Sequence, residues 1–402
     1  MPRGLSRWLS VSLLIGSLAG ILGATLVPAS GPDTGTFNWC LLCGSFGLAD
    51  AIANVVLFVP LGIGLRCSGT SGRRTVALAL LLSTAIEIAQ LWIPGRESTL
   101  GDIVWNTTGA ALGMGLAAWY PARRRFRVGG FVAAAAALLV IAGTGVLLRP
   151  SFPPTEYYGQ WTADLGMYEW YRGHVLAADL GGLPLPSWRL EDSKTVRERL
   201  VAGESLRIRA LAGPRTGRLA PLFSIFDGQQ REILLVGADR DDLVLHVRSR
   251  AVEWRLHQLD LRWRGALAGV VPGDTLSVEL RGARSGYCFR LNGREHCGLA
   301  YTAGEGWGLV QFPHLTPAFQ TFLDCVLMAL LGWWVGLLSP RRASGYLAAA
   351  LVVAGSVIVP SLVGLAGTPL LQVAALVTGI ALGGLVPEPG KLADAAIDAV
   401  VA

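Results

Sequence analysis

The chain has 402 residues, of which 52% are hydrophobic and 15% are charged, and its mean hydropathy is +0.48. A soluble protein usually carries about a quarter charged residues, so this composition excludes an ordinary soluble enzyme and indicates a multi-pass membrane protein. The formal net charge of +6 does not indicate a nucleic-acid partner, because the arginines fall in short clusters between apolar runs.

Eight apolar runs are long enough to cross a bilayer, which takes roughly 17–25 residues. We therefore predict a polytopic α-helical membrane protein of about eight transmembrane helices. It divides into a membrane domain (1–148), an inserted domain (149–317), C-terminal membrane helices (318–386) and a tail (387–402). The eight runs lie near 9–28, 50–66, 75–93, 101–120, 129–148, 318–338, 344–366 and 369–386.

Arginine clusters between these runs predict the orientation, because cytoplasmic loops are enriched in Lys and Arg. All four clusters fall on one side. If that side is cytoplasmic, both termini lie on the cytoplasmic side of a bacterial inner membrane, and the inserted domain is extracytoplasmic. A cleaved signal peptide is the alternative interpretation of the first run. The clusters are Arg3 and Arg7; Arg66, Arg73 and Arg74; Arg123, Arg124, Arg125 and Arg127; and Arg341 and Arg342.

Seven polar residues lie in three of the apolar runs and in one connecting loop. The predicted orientation places all seven at one depth, in the outer leaflet. Ionisable groups within a membrane are costly and mark functional sites, so we predict a ligand-binding pocket open to the outside. The alternative is that they only join helices through hydrogen bonds. The residues are Asp50, Asn54, Glu87, Gln90, Arg96, Asp102 and Asn106.

The same stretch resembles a known family. DAIANVVLFVPLGIGL and STAIEIAQLWIPGRESTLGDIVWNTTGAALG are similar to the VanZ-like family of bacterial membrane proteins, over about 9–120. The family is named for a member linked to teicoplanin resistance. The resemblance therefore implies a role in the cell envelope, without naming a reaction. Besides the seven polar residues, the matching positions are Phe58, Pro60, Gly62, Gly109 and Ala110.

Three functions fit such a pocket. The first is binding of a membrane lipid, a lipid-linked envelope precursor or a glycopeptide-like ligand, with Arg96 on a phosphate or carboxylate. The second is a metal-dependent hydrolase or transferase, in which Asp50, Glu87 and Asp102 hold a divalent ion. The third is a transporter. Common phosphate-loop, zinc-protease and serine-hydrolase motifs are lacking, so we assign no catalytic residue and no cofactor and favour binding without catalysis.

The last three helices resemble a degenerate repeat of earlier helices. LGDIVWNTTGAALG aligns with LLQVAALVTGIALG, which pairs Asp102 with Gln372, and Asp50 pairs with Asp324. Both copies would run in the same direction, as in a parallel repeat. Chance similarity between small-residue spans is the alternative. Because the copy lacks most of the polar residues, we expect the working site in the first half.

Short apolar runs separated by turns over 200–311 predict a β-sandwich in the inserted domain. Its clearest hairpin is YCFRLNGREHC, with Asn292 and Gly293 in the turn. Counting outward pairs Cys288 with Cys297 at a Cα separation of about 4.5 Å, which suits a disulfide. We therefore predict a Cys288–Cys297 disulfide.

The other four cysteines divide by predicted compartment. Cys40 and Cys43 lie in the first outer loop, where a local disulfide or two unpaired thiols fit better than a redox motif, because no βαβ pattern surrounds them. Cys67 is predicted to be cytoplasmic and Cys325 to lie within a span, so both are expected to be free thiols.

The inserted domain also resembles concanavalin A-like and laminin G-like sandwiches, over about 155–312. That resemblance implies glycan binding, for which an aromatic cluster is suited. The alternative is that these rings pack the domain or lie at the membrane interface. The aromatic residues are Tyr157, Tyr158, Trp161, Tyr168, Trp170 and Tyr171.

Four aspartates in the turns of the inserted domain offer calcium ligands. The alternative is that they are ordinary solvated turn residues. They are Asp227, Asp239, Asp241 and Asp242.

Overall fold

The structure is a computed structural model that describes residues 3–28, 35–119, 129–164, 166, 168–283, 286–310, 316–339 and 343–386. Within these residues, helices occur at all eight predicted apolar runs. They are α1 (Arg3–Thr25), α2 (Gly47–Cys67), α3 (Gly72–Gln90), α4 (Leu100–Trp119), α5 (Gly129–Leu147), α8 (Pro317–Leu338), α9 (Ala343–Val363) and α10 (Leu370–Leu385). The arginine clusters at 123–127 and 341–342 lie outside the described residues.

The predicted number of about eight transmembrane helices is not supported. Among the described residues, four helices are long and apolar enough to cross a membrane: α2, α5, α8 and α9. The apolar part of α1 and the whole of α10 are shorter. Polar side chains at the ends of α3, and glycines and polar residues throughout α4, reduce the apolar character of those two helices. The chain therefore has a helical membrane part with four candidate spans.

Helices α2 and α4 are in backbone contact through glycines. A Cβ atom at Gly62 would lie 2.0 Å from the carbonyl oxygen of Ala110. A Cβ atom at Gly109 would lie 2.2 Å from the carbonyl oxygen of Val55. Small residues permit this close approach of helices in a membrane. These glycines therefore fix the distance between the helices that carry Asp50 and Asp102.

Helices α8 and α10 make the same kind of contact. A Cβ atom at Gly336 would lie 2.1 Å from the carbonyl oxygen of Ile380, and one at Gly379 would lie 2.0 Å from that of Ala329. Gly336 and Gly379 are the residues that align with Gly62 and Gly109 when Asp324 is placed on Asp50 and Leu370 on Leu100. The same register of glycine contacts thus occurs in both helix pairs.

The inserted segment forms two antiparallel sheets. A five-stranded sheet has the order β10-β9-β8-β7-β3, and a six-stranded sheet has the order β13-β12-β11-β6-β4-β5. Side chains of both sheets contribute to one buried core. The strands are β3 (Tyr157–Trp161), β4 (His174–Leu180), β5 (Leu183–Pro184), β6 (Leu206–Leu211), β7 (Ala220–Asp227), β8 (Glu232–Asp239), β9 (Asp242–Val247), β10 (Leu261–Trp263), β11 (Thr275–Ala283), β12 (Gly286–Leu291) and β13 (Arg294–Leu299).

Among its described residues, this β domain also has three short helical segments. A further pair of strands lies in the helical part of the chain. Strands β1 (Phe37–Asn38) and β2 (Ser98–Thr99) pair in parallel and join the loop before α2 to the start of α4. The helical segments are α6 (Ser193–Ala202), α7 (Arg250–Glu253) and the 3-10 helix Gly304–Leu309.

The hairpin of β12 and β13 has the predicted register. Leu291 faces Arg294, and Cys288 faces Cys297 in a disulfide with a Cα separation of 4.0 Å. Asn292 has a φ of 47°, which fits the two-residue turn that the sequence indicated. The predicted disulfide is confirmed.

The other four cysteines also agree with the predictions made from the sequence. Cys40 and Cys43 form a local disulfide, and Cys67 and Cys325 are free thiols.

Replacing Cys288 and Cys297 with serine should lower the free energy of unfolding of the β domain by about 2–3 kcal/mol, because the disulfide closes a loop in the unfolded chain. Thermal unfolding of the full chain, monitored through the β domain, measures this loss. A Cys67→Ser variant removes an exposed free thiol and should leave the transition unchanged. Two reactive thiols at 288 and 297 in unreduced protein would contradict the assignment.

A histidine is enclosed between two carboxylates in the β domain. His246 of β9 lies with Nδ1 2.9 Å from Glu232 and with Nε2 2.8 Å from Asp260. Burial by itself lowers the pKa of His246, but the charges of Asp260 and Glu232 outweigh burial and raise it to about 10. Burial by itself raises the pKa of Asp260, but His246 and Arg262 outweigh it and lower that pKa. The cluster fastens the chain around Asp260 to the five-stranded sheet.

The raised pKa of His246 makes the β domain less stable at high pH. Its contribution to stability is fully present below the unfolded-state pKa of about 6.5 and is lost as the pH rises through the folded-state pKa of about 10. We expect the free energy of unfolding to fall by a few kcal/mol across this range. Denaturation at pH 6.5, 8 and 10 should show this slope in the wild type and in His174→Gln, an exposed-histidine control. An equal slope in His246→Gln would refute the prediction.

Candidate functional site

The first part of the site joins α2 and α4. Asp50 lies in the first turn of α2, and Asn54 follows one turn later. The amide nitrogen Nδ2 of Asn54 donates a hydrogen bond of 2.6 Å to Oδ1 of Asp102, in the first turn of α4. The backbone N–H of Asp102 donates to the Thr99 hydroxyl, which caps α4. The predicted convergence of these two helices is therefore present.

Glu87 lies beneath the start of α4. Its side chain is buried, and its Oε2 accepts the backbone N–H of Thr99 at 2.8 Å. The hydroxyl of Ser98 donates to the backbone carbonyl of Glu87 at 2.7 Å. Glu87 and Asp102 repel each other electrostatically. The end of α3 and the beginning of α4 are thus tied together around a carboxylate.

Asn106 extends the polar group one turn deeper along α4. Its Nδ2 donates to the hydroxyl of Ser83 at 2.9 Å, and that hydroxyl lies 3.5 Å from the backbone carbonyl of Asp102. Asn106 is 1% exposed, and its Oδ1 has no hydrogen-bond partner among the described residues. Sequence reasoning missed Ser83 and Thr99. Their signals were the position of Ser83 one turn before Glu87 and of Thr99 directly before α4.

Gln90 and Arg96 serve a different purpose from the other five residues. Nε2 of Gln90 donates to the carbonyl of Thr25 at 2.9 Å. Arg96 donates from Nε to the carbonyl of Val27 and from Nη2 to that of Ala24, both at 2.8 Å. Carbonyls at a helix C-terminus lack intrahelical donors and attract positive charge. Both side chains therefore cap α1.

Arg96 and the acids of the predicted pocket are not paired with one another in the described structure. Across the described residues, no ion pair links Arg96 to a carboxylate, and none involves Asp50, Glu87 or Asp102. The site is therefore acidic, and Arg96 does not balance it.

The three carboxylates also do not fit a site for one divalent ion. Within the described part of the chain, one group of three possible metal ligands has its atoms within 4.8 Å of one another: Cys288, Glu295 and Cys297. Its two cysteines form the disulfide and are not available as ligands. The carboxylate oxygens of Asp50, Glu87 and Asp102 therefore do not all lie within 4.8 Å of one another in the described structure.

The β domain contacts the helix that carries Asp50. The carbonyl of Arg255 accepts the backbone N–H of Ala49 at 3.3 Å, and the guanidinium of Arg255 donates to the carbonyl of Leu42 at 3.0 Å. The ring of His257 lies 4.4 Å from that of Phe46. The β domain thereby supports the first turn of α2.

Most of the aromatic residues proposed for glycan binding pack the β domain instead. Tyr157 and Tyr171 are 0% and 4% exposed. The indole of Trp161 and the hydroxyl of Tyr168 donate hydrogen bonds within the domain. Trp170 is 60% exposed. The structure does not assemble the six rings into one stacking surface.

Each of the four turn aspartates that were considered as calcium ligands lies within ion-pair distance of an arginine. Asp227 contacts Arg231, and Asp241 contacts Arg215. Asp239 and Asp242 both lie within ion-pair distance of Arg262.

A comparison with known families finds a match over the first helices of the chain. Residues 15–121 match the family model described as VanZ/LLP1. The resemblance drawn from the sequence is confirmed for this stretch, and the VanZ/LLP1 domain contains all seven predicted polar residues. No curated protein and no solved structure matches the chain. The concanavalin A-like assignment of the β domain therefore remains a prediction.

Proposed function

We propose that this VanZ-like cell-envelope membrane protein binds a membrane lipid or lipid-linked envelope precursor in a pocket of its VanZ/LLP1 domain. The pocket consists of Asp50, Asn54, Glu87, Asp102 and Asn106. In this proposal all eight apolar helices cross the inner membrane, and both termini are cytoplasmic. The β domain lies outside. In support, Arg66 and Arg73 lie at the ends of α2 and α3 that are remote from the β domain.

The observation that carries the proposal is the unpaired carboxylate of Asp50. It is exposed and lies beside the hydrogen-bonded pair Asn54 and Asp102, at the end of the bundle that the β domain covers. A residue that only joined helices would be expected to use its carboxylate in a contact, since an unmatched charge near a membrane is costly. A preformed acidic group with an unpaired carboxylate supports binding as the proposed role.

The predicted effect of conservative substitutions separates binding from structural support. Asp102→Asn and Glu87→Gln preserve shape but remove charge, so they should weaken the envelope phenotype by about tenfold or more while folded protein accumulates normally. Complementation of a deletion strain, membrane abundance and melting temperature measure this. Asp324→Asn, at the aligned position in the second half, is the matched control and should have little effect. Loss of function in proportion to loss of stability would contradict the proposal.

Transport is the second candidate, and the repeated glycine register favours it. Two helix pairs with the same backbone contacts, α2 with α4 and α8 with α10, support a degenerate parallel repeat. Such repeats are common in transporters, where one half moves relative to the other. Flux of a bound ligand into sealed vesicles would favour transport, whereas saturable binding without flux would favour recognition alone.

A glycan-binding role for the β domain has weaker support. Of the predicted aromatic group, Trp170 has the exposure that stacking on a sugar ring needs. The contacts of Arg255 and His257 with the loop before α2 instead favour a role in holding the pocket in place.

A further inference from the structure

The polar side chains of the candidate site already donate hydrogen bonds within the protein. The amide nitrogens of Asn54 and Asn106 donate to Asp102 and Ser83. The guanidinium of Arg96 is directed to the end of α1. Each amide keeps one further N–H, and the guanidinium keeps three, so the charge of the site, and not a lack of donors, disfavours a phosphate or a carboxylate as the ligand.

The atoms left without partners are acceptors. In the described structure, the exposed carboxylate of Asp50 takes part in no hydrogen bond or ion pair. Deeper in the site, Oδ1 of Asn106 is buried and unpartnered, and Asn106 is linked to Asp102 through Ser83. Leaving a buried acceptor without a donor is energetically unfavourable. One acceptor lies at the exposed end of the site and the other at its buried end, and each requires a hydrogen-bond donor.

The charge of the site also favours a positively charged ligand. Asp50 is repelled by Asp102 and Glu97, and no arginine, lysine or histidine is paired with any of these acids in the described chain. Such a field attracts cations and repels anions. The expectation that Arg96 would bind a phosphate does not fit this arrangement.

We propose that the site takes a primary ammonium group. An ammonium group carries one positive charge and three N–H donors on a compact centre, which matches a charged rim and an unpaired acceptor beneath it. A quaternary ammonium has the positive charge but no N–H donor. A phosphodiester has a negative charge and no donor. This inference rests on the proposed function and names the chemistry of its ligand. Two sources present that chemistry, an amine-bearing lipid headgroup and a soluble amine.

Lipid selectivity of the full chain in nanodiscs tests the proposal. The lipid probes are phosphatidylethanolamine, phosphatidylcholine and phosphatidylglycerol; the first two share a phosphate and differ in their N–H donors. Native mass spectrometry should show about tenfold preferential retention of phosphatidylethanolamine over phosphatidylcholine. Asp50→Asn and Asn106→Leu should abolish the preference, and Asp324→Asn should retain it. Melting temperatures establish that each variant is folded.

A second arm distinguishes the sources. Ethanolamine and choline are titrated against protein in phosphatidylcholine nanodiscs. Stabilisation by ethanolamine without lipid preference assigns a soluble amine, and lipid preference assigns a headgroup. Preference for phosphatidylglycerol, or indifference to every probe in folded wild type, overturns the ammonium assignment. If Asp102→Asn still abolishes the envelope phenotype in that case, the proposed function stands and only the ligand chemistry is wrong.

Discussion

Gly109→Ala should prevent normal accumulation of the folded protein, although it adds a single methyl group. The new Cβ would lie 2.2 Å from the carbonyl oxygen of Val55, and that oxygen belongs to the backbone of α2. No rotamer change relieves such a contact, so the helices must separate. Overpacking usually costs about 1–3 kcal/mol, and a backbone clash belongs at or above the upper end. Membrane abundance and thermal unfolding measure the loss.

The matched control for this prediction is Gly115→Ala on the same helix. A Cβ at Gly115 has nothing within 4 Å, so this change should be neutral or should stabilise α4 by about 1 kcal/mol. Gly379→Ala should reproduce the defect in the second half, because its Cβ would lie 2.0 Å from the carbonyl oxygen of Ala329. Equal behaviour of the 109 and 115 variants would show that the α2–α4 contact is looser than described.

Local patterns predicted their structures well. The Cys288–Cys297 pair follows from a two-residue turn, since the turn fixes the register by counting alone. The convergence of Asn54 and Asp102 also followed from chain order, because both lie at the starts of helices on one side of the bundle. In the first case neighbouring residues carry the information, and in the second the direction in which successive helices run carries it.

Long-range partners were not predictable in the same way. The role of Arg96 depends on where α1 ends, and the end of a helix about 70 residues earlier leaves no mark in the local sequence. Arg96 was predicted to bind a phosphate or carboxylate of a ligand, but the carbonyls at the end of α1 accept hydrogen bonds from its guanidinium. The predicted number of spanning helices lacks support for a related reason, since four helices in the described residues are long and apolar enough to cross a membrane. Apolar residues in α3 and α4 predict helices, yet apolar length alone does not distinguish a span from a helix buried within a bundle.

The capping role of Arg96 leads to a prediction that separates it from the acidic site. Arg96→Ala removes the donors to the carbonyls of Ala24 and Val27, so it should destabilise the packing of α1 and lower stability by about 1–3 kcal/mol. Gln90→Ala removes the third cap, on Thr25, and should have a smaller effect of the same kind. Thermal unfolding of each purified variant measures these losses.

A double-mutant cycle of Arg96→Ala with Asp102→Asn provides the decisive comparison. Groups that share no partner give additive free energies within about 0.3–0.5 kcal/mol, whereas members of one ion-pair network couple by about 0.5–3 kcal/mol. Since Arg96 bonds to α1 and Asp102 bonds to Asn54, we expect additivity in stability. Ammonium binding by Arg96→Ala protein should also persist wherever the variant remains folded, because its guanidinium contributes nothing to the acceptors of the site. Strong coupling, or loss of ligand preference in folded Arg96→Ala protein, would return Arg96 to the acidic site and restore an anionic group as its ligand.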